Sequence, residues 1–484
     1  MTTLVSVDWL VLAPALAPAA GVLVVLLGDA VLPRRPGRDG GWALPVAAVL
    51  LVVGAGLALR GSFGDPAQPL RTLCLPAPDG ACLWTAGPAA STLQAGVLLA
   101  AAAALALLHD GGTAPRDRVV TTALLLAAST GGVAVAAARD LGSWLVALEL
   151  ATVPVVALVA LRGTARAAHG ALTLLVTSLA SFALLVLGAA LWVTATGDAA
   201  LSPGTAGAAW ADPTQRPVLV LAVAVLVSGI AFKLSLVPFH AWTPQAFSTA
   251  DTGTAAFLAT ASKVAAAAAL SVVVGALVGT GADRILLPLG VLAVASLLLG
   301  NVLALRQDDP TRLLAWSTVA QAGWVVLPLT ALDAAGLRAT AAYVLVYAAA
   351  TVLAFAAVTR VGPTSLVGYR GLLRRDPLSG GALVLALLVL AGLPPGVIGL
   401  VAKVVALQPV VGAELWPLVA VAVVAVVLGI AVYLRWLAVL VRREEGPSAA
   451  LLPGMRSTRV VLVVGSVVLV LTSALPHALL GLLG

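Results

Sequence analysis

The stretch FKLSLVPFHAWTP at residues 232–244 decides the fold of this chain. Lys233 stands at the end of an apolar run, and Pro238 follows five residues later. Proline lacks a backbone donor and clashes with the preceding turn, so a helix that enters this stretch must break. His240 follows the break, and an imidazole titrates near neutral pH. The stretch predicts a helix that is broken beside ionisable side chains.

The composition of the chain predicts that this broken helix lies in a membrane. Of 484 residues, 61% are hydrophobic and only 10% are charged, whereas a soluble domain carries about a quarter charged residues. The net charge is +7, and in a membrane protein basic residues in short loops report orientation. We therefore expect a lipid bilayer, and no nucleic acid, as a partner.

Apolar runs of about 20 residues predict an all-α polytopic membrane protein, with residues 1–484 forming a single membrane domain. The first run follows no basic residue and is too long for a signal-peptide core, so we expect a retained helix. The longest loop, 60–87, holds both cysteines, Cys74 and Cys82, as a disulfide or as two unpaired thiols. The predicted spans, numbered 1 to 14, lie at 9–32, 42–59, 88–108, 119–138, 141–161, 168–195, 217–237, 254–279, 285–305, 313–331, 338–359, 381–408, 413–440 and 459–482.

The arginines predict the orientation of these spans. Loops after odd-numbered spans hold 17 arginines, and loops after even-numbered spans hold 6. Basic residues concentrate in cytoplasmic loops, so we expect odd loops in the cytoplasm and both termini on the outer side. Once these 23 arginines are set aside, Arg435 remains, in the interior of span 13.

Lysine follows the opposite rule, because all three lysines of the chain, Lys233, Lys263 and Lys403, fall inside spans. Arginine keeps its proton at any accessible pH, whereas a buried lysine can release it. Glu149 is the acid nearest the middle of a span. Ionisable residues at membrane depth mark ion or proton paths by default, although a static ion pair or a snorkelling side chain is the alternative. We predict that these four residues carry protons.

A second break predicts an internal repeat. Pro394 and Pro395 interrupt span 12 before Lys403, and broken helices at corresponding positions of two halves are typical of transporter repeats. Spans 7 and 12 are five apart, so two five-helix repeats would be inverted in the membrane; ordinary proline kinks are the alternative. The predicted divisions are 1–110 for spans 1–3, 117–280 for the first repeat (spans 4–8), 284–440 for the second repeat (spans 9–13) and 457–484 for span 14.

Several stretches resemble the subunit N family of bacterial NADH-quinone oxidoreductase, respiratory complex I. They are FKLSLVPFHAWTP at 232–244, AFLATASK at 256–263, LVALEL at 145–150, RLLAWS at 312–317 and LAGLPP at 390–395. The resemblance implies a proton-pumping, antiporter-like subunit of a bacterial inner-membrane complex. The sequence contains no metal-binding spacing and no phosphate-binding loop. We therefore expect no cofactor and no metal in this chain, with NADH, flavin, iron–sulfur clusters and quinone in partner subunits, and flanking antiporter-like subunits as neighbours.

The resemblance also implies individual roles. Glu149 corresponds to the acid that pairs with Lys233, Lys263 to the relay lysine, and Lys403 to the lysine of the exit half-channel. The chain departs from the family pattern at Gln321, where a histidine is usual. A lysine usual near the start of span 6 is also absent, with His169 nearest, and Gln245 replaces an aspartate. The supporting positions are His240, Gln321, Pro238, Pro394 and Pro395.

Two other functions remain compatible with the sequence. One is a freestanding or Mrp-type cation/proton antiporter subunit, which shares this architecture. The other is a non-pumping structural spacer of a membrane arm, which Gln321 favours and the retained buried charges oppose.

Overall fold

The computed structural model describes residues 5–31, 40–75, 81–110, 117–282, 285–442, 451–452 and 455–484. Six arginines of the orientation argument lie outside them: Arg34, Arg35, Arg38, Arg116, Arg284 and Arg443. The elements are α1 (Trp9–Val31), α2 (Ala43–Ser62), β1 (Leu70–Cys74), β2 (Cys82–Ala86), α3 (Pro88–Asp110), α4 (Arg118–Ala137), α5 (Leu141–Leu150), α6 (Val153–Ala160), α7 (Ala165–Thr196), α8 (Pro203–Ala211), α9 (Arg216–Leu234), α10 (Trp242–Thr249), α11 (Thr252–Ala259), α12 (Ala261–Gly275), α13 (Leu287–Leu305), α14 (Pro310–Val326), α15 (Ala334–Val361), α16 (Leu372–Arg375), α17 (Pro377–Ala391), α18 (Val397–Gly412), α19 (Trp416–Val441), α20 (Arg456–Ala474) and α21 (Pro476–Leu480). Short 3₁₀ turns lie at Leu327–Ala331, Leu366–Tyr369 and Gly481–Leu483.

The helices confirm a polytopic all-α membrane fold. In the described part of the chain, thirteen helical segments are long and apolar enough to cross a bilayer. The shorter apolar helices α17 and α18 together occupy span 12, which completes the fourteen expected. Helices predominate because a backbone in lipid must satisfy its own hydrogen bonds.

Spans 7 and 12 are broken where the prolines predict. Residues 235–241 separate α9 from α10, and residues 392–396 separate α17 from α18. Each first half ends in a left-handed residue, Ser235 with φ 66° and Gly392 with φ 80°, which turns the chain out of the helix.

Spans 5 and 8, predicted as continuous helices, are also broken. Span 5 divides into α5 and α6 at Ala151 and Thr152, and Pro154 lies in the first turn of α6. Span 8 divides into α11 and α12 at Thr260, whose hydroxyl donates to the Ala256 carbonyl. Such back-bonding bends helices. At Gly131 of α4 an added Cβ would overlap the backbone of Ala151, so glycine allows α4 to pack against the break in span 5.

The structure differs from the prediction made from the sequence in two further places. Span 14 ends at Ala474 rather than near residue 482, because Pro476 begins the short helix α21. The loop at 60–87 contains an antiparallel hairpin of β1 and β2, in which Cys74 lies opposite Cys82. These cysteines form a disulfide, so the structure decides between the two alternatives that the sequence left open.

The spans differ in how far they are buried inside the protein. Within an 18-residue stretch of each segment, the share of buried residues is 94% for Pro310–Ala331 and 89% for α15. The same share is 28% for α19 and 22% for α20. The buried helices are rich in alanine, glycine, serine and threonine, which let membrane helices approach closely. The lysines lie next to this packed centre, and the outer helices present apolar side chains outward.

Candidate functional site

Glu149 and Lys233 form a buried ion pair. Lys233 Nζ lies 2.9 Å from Glu149 Oε1 and also donates to the Thr152 hydroxyl at 2.8 Å. Only 8% of the lysine side chain and 18% of the glutamate side chain are exposed. Lys233 is in the last turn of α9 and Glu149 is near the end of α5, so the pair joins the broken ends of spans 5 and 7.

Lys263 is more completely buried than Lys233, and among the described residues it has only neutral contacts. Its Nζ donates to the Lys233 carbonyl at 2.7 Å and to the Ser235 hydroxyl at 2.6 Å. The same atom lies 4.6 Å from the centre of the Trp242 ring, within the range of a cation–π contact. The residue is 2% exposed, so this ammonium group is stabilised by dipoles and not by an opposite charge.

Lys403 repeats this arrangement in span 12. Its Nζ donates to the carbonyls of Leu390 at 2.9 Å and Ala391 at 2.7 Å, and the residue is 5% exposed. At Gly399 an added Cβ would overlap the Val389 carbonyl, so glycine allows α18 to lie against α17 one turn before the lysine.

The breaks explain why lysines occupy these positions. The last carbonyls of a helix have no partner within that helix, and the helix dipole places partial negative charge there. Lys263 uses this end of α9, and Lys403 uses this end of α17. An ammonium group bound in this way has hydrogen-bond acceptors at membrane depth, and its protons remain exchangeable.

Gln321 lies in a network of buried hydroxyl groups that the sequence reasoning missed. Its Nε2 donates to Tyr433 Oη at 2.8 Å, and its Oε1 accepts from Tyr343 Oη. Tyr433 Oη also lies 2.6 Å from Ser317 Oγ. The chain has four tyrosines, and the phenol of a third, Tyr347, donates to a hydroxyl of α14. All four tyrosines lie between residues 343 and 433. This clustering is the feature of the sequence that could have indicated the network.

The remaining predicted positions lie at the breaks. His240 lies between α9 and α10, with its ring centre 5.3 Å from that of Trp316. Pro238 lies in the break of span 7, and Pro394 and Pro395 lie in the break of span 12. The Val237-Pro238 and Pro394-Pro395 peptide bonds are cis.

A cavity of about 40 Å³ reaches Lys233 from the side of α7. Thr177, Ser178 and Ser181 of α7 and Thr152 at the span 5 break contribute hydroxyl groups to its wall. A water needs about 10–15 Å³ and two to four polar partners. The cavity therefore has both the room and the polar groups to hold water beside the ion pair.

Arg435 differs from the lysines, although it too lies within a span. Its guanidinium lies 3.7 Å from Asp308 and donates to the Gln307 carbonyl. Both partners follow the end of α13, so this arginine reaches the membrane surface and stays outside the lysine set.

Comparison with known proteins identifies the family. The family model described as NADH:quinone oxidoreductase/Mrp antiporter, TM, matches residues 138–429. This chain belongs to that family. Among its relatives, NADH-quinone oxidoreductase subunit N of Salinispora tropica is 38% identical over 463 residues, which covers 91% of this chain and 86% of that protein.

Solved structures of the family have the same fold. A chain of respiratory complex I from Thermus thermophilus with bound aureothin matches with a TM-score of 0.78 and 29% identity, covering 96% of this chain and 98% of that one. A chain of the Mrp complex from Dietzia sp. matches with a TM-score of 0.84 at 21% identity, covering 98% and 96%, which shows the shared fold alone. Across the described residues of this family member, no group of three or more His, Cys, Asp or Glu side chains is placed to hold a metal.

Proposed function

We propose that this chain is the proton-translocating, antiporter-like subunit N of an NADH-quinone oxidoreductase complex. The observation that carries the proposal is the set of three buried lysines, each hydrogen-bonded at a broken helix, with Glu149 paired to the first. The subunit N relatives support the enzyme assignment. Electrons pass through partner subunits, which hold NADH, flavin, iron–sulfur clusters and quinone, and flanking antiporter-like subunits are its neighbours.

The first step of the proposed mechanism uses the Glu149–Lys233 pair. A conformational or electrostatic signal from the redox partners separates the carboxylate from the ammonium group. An unpaired charge at this depth is costly, so Lys233 then favours release of its proton. Moving one charge across 100 mV requires ~2.3 kcal/mol, which is within the scale of altered buried ion pairing.

Polar groups support transfer of that proton towards Lys263. The Ser235 hydroxyl contacts Lys263 Nζ and accepts from Thr243 at 2.6 Å. The cavity beside Lys233 supplies room for water. Once Lys263 has passed its own proton on towards Lys403, it is a neutral amine, and it accepts the proton that the Lys233 ammonium group releases. The total charge of the two lysines is conserved in this transfer.

Transfer from Lys263 to Lys403 passes the Gln321 network. An amide does not titrate, so Gln321 positions the Tyr343 and Tyr433 hydroxyls, and water carries the proton beside them. Lys403 is the exit group, close to the Trp324 ring, whose centre lies 5.9 Å from its Nζ. Trp324 in turn stacks on Tyr343 at 5.8 Å, so the aromatic rings connect the network to the exit lysine.

We also propose that residues 117–280 and 284–440 are inverted five-helix repeats. The matching breaks of spans 7 and 12 support this division.

One experiment tests the assignment to a redox-driven complex. Inverted membrane vesicles that contain the complete complex should acidify on addition of NADH, and deletion of this chain should abolish the acidification. The isolated chain in liposomes should give no cation/proton exchange without an electron donor. Exchange by the isolated chain would favour the Mrp-type alternative. Full acidification by an assembled complex that carries Lys263→Gln would favour the structural spacer.

The Gln321 network gives a prediction that separates pump from spacer. Gln321→Leu should remove both tyrosine hydrogen bonds and should abolish acidification. Tyr433 keeps its contact with Ser317, so the expected cost is about 1–3 kcal/mol for the buried Tyr343 hydroxyl, which loses its partner. Gln321→His keeps a donor and an acceptor and should retain acidification. Equal acidification by wild type and Gln321→Leu, measured in assembled complex, would contradict a relay through this network.

We propose a bacterial inner-membrane location with both termini outside, which the two cysteines test. After reduction, a membrane-impermeant maleimide should label Cys74 and Cys82 in intact cells, because the hairpin faces outward in this orientation. Without reduction the disulfide should prevent labelling. The matched control is Arg306→Cys in a Cys74→Ser/Cys82→Ser background, which should react only in inside-out vesicles. The reverse labelling pattern would show that the chain has the opposite topology, with both termini in the cytoplasm.

A further inference from the structure

A cleft of about 380 Å³ lies between the starts of α7 and α14 and the end of α10. Two arginines, Arg166 and Arg312, line it together with His169, and Gln245 and Ser248 of α10 add neutral polar groups. We call it the Arg166–Arg312 cleft. The arginine bias assigns this end of the bundle to the cytoplasm. None of these residues takes part in the proton path described above.

The side chains that line the cleft carry a net positive charge. No acidic side chain lines it among the described residues. Of the nearby acids, Asp251 pairs with Arg162 at 3.5 Å, and Asp309 lies at the start of α14, where its carboxylate accepts from the Arg312 backbone N–H at 2.8 Å. The side chains of Arg166 and Arg312 are exposed, so an anion can reach both.

Two long helices begin at the cleft, and the start of α7 adds to its positive potential. Ala165 and Arg166 form the first turn of α7, which has 32 residues, and Arg312 lies in the first turn of α14, which has 17. A helix start carries partial positive charge and favours phosphate groups. The Asp309 carboxylate offsets this charge at the start of α14, whereas a neutral hydroxyl, that of Thr164, caps α7. The cleft thus combines two guanidinium groups with the positive start of α7.

An apolar stripe runs from the cleft along α7. His169, Leu172, Val176 and Leu179 follow one another at spacings of three or four residues and therefore share one helix face. The three apolar side chains of the stripe are 57%, 58% and 57% exposed. They lie one to three turns deeper in the membrane than the cleft, where acyl chains are found.

We propose that the Arg166–Arg312 cleft binds the phosphate of an anionic phospholipid, such as phosphatidylglycerol, whose acyl chains lie along the α7 stripe. Guanidinium groups bind phosphate oxygens in paired hydrogen bonds, and basic pockets between cytoplasmic helix ends bind lipid headgroups. A zwitterionic lipid would bring a cation next to two arginines, at a site with no acid among its described lining residues. The stripe favours a lipid over an acidic segment of a neighbouring subunit, because such a segment has no use for exposed leucine and valine at membrane depth.

Spin-labelled lipids added to the complete complex in nanodiscs test this site. The nanodiscs contain phosphatidylcholine with a minority of phosphatidylglycerol, and the measured quantity is the association constant of labelled phosphatidylglycerol relative to labelled phosphatidylcholine. Arg166→Gln/Arg312→Gln should lower this preference about tenfold or more, the scale for two cations at a membrane surface. The matched control is Arg306→Gln/Arg442→Gln, which removes two exposed arginines from the same predicted side outside the cleft and should leave the preference unchanged.

A map of the complex in the same nanodiscs provides the second measurement. Headgroup density touching both guanidinium groups, continuous with chain density along the stripe, is the expected result. Polypeptide density from a neighbouring subunit in the cleft would overturn the proposal, as would an unchanged lipid preference in the Arg166→Gln/Arg312→Gln complex. If inorganic phosphate alone abolishes the preference for phosphatidylglycerol, and the map shows no acyl-chain density along the stripe, the cleft is a phosphate site and the lipid assignment is overturned.

Discussion

Replacing Lys263 with arginine should abolish NADH-driven proton translocation while the complex still assembles. Lys263 Nζ binds the Lys233 carbonyl and the Ser235 hydroxyl, with Trp242 on its other side. A guanidinium group keeps the positive charge and can bind the same acceptors, but it does not release a proton. Acidification of inverted vesicles should fall to background, and a native gel of the solubilised membranes should show the full complex.

Two further variants separate charge from titration. Lys263→Gln removes the charge and should also abolish acidification, so it covers the case in which the larger arginine disturbs packing at this buried position, where overpacking costs about 1–3 kcal/mol. Arg306→Lys, at the exposed end of α13, should leave acidification unchanged. Normal acidification by assembled Lys263→Arg complex would exclude Lys263 as a proton carrier.

The second large effect is expected for Glu149→Gln, which removes the charge that pairs with Lys233. Breaking a buried ion pair from one side costs up to about 3–5 kcal/mol, because the remaining charge has no partner. The Thr152 hydroxyl still accepts from Lys233, and the glutamate is partly exposed, so we expect the lower part of that range. The complex should lose acidification, and its thermal unfolding midpoint should fall.

A double-mutant cycle measures the pair itself. Lys233→Met alone leaves Glu149 unpaired and should also destabilise the complex. Glu149→Gln/Lys233→Met removes both charges and should recover most of the lost stability, with a coupling energy of about 1–3 kcal/mol. Acidification should remain absent in the double variant. Additive effects of the two changes on the unfolding midpoint would show that the ion pair contributes nothing to stability.

The sequence predicted the spans because lipid imposes strong local requirements. A run of about 20 apolar residues must form a helix, and Pro238, Pro394 and Pro395 must interrupt one. The sequence also contained a signal for the break in span 5, Pro154, which the reading of apolar runs overlooked. The break at Thr260 had no comparable signal, because a threonine hydroxyl bends a helix only in some contexts.

The partners of the site residues were less accessible from the sequence. The pairing of Glu149 with Lys233 followed from a resemblance, and its 2.9 Å contact required the structure. The Tyr343–Gln321–Tyr433 network joins α14, α15 and α19. No local rule states which residues of three separate helices meet.

What the sequence by itself determined is therefore the membrane fold, the two proline breaks and the confinement of every lysine to a span. Each of these follows from the cost of placing polar groups in lipid, which acts residue by residue. Only the tertiary structure decided what each lysine contacts: a carboxylate for Lys233, and the carbonyl ends of half-helices for Lys263 and Lys403. Those contacts depend on how separate helices pack, which small residues such as Gly131 and Gly399 permit but do not specify.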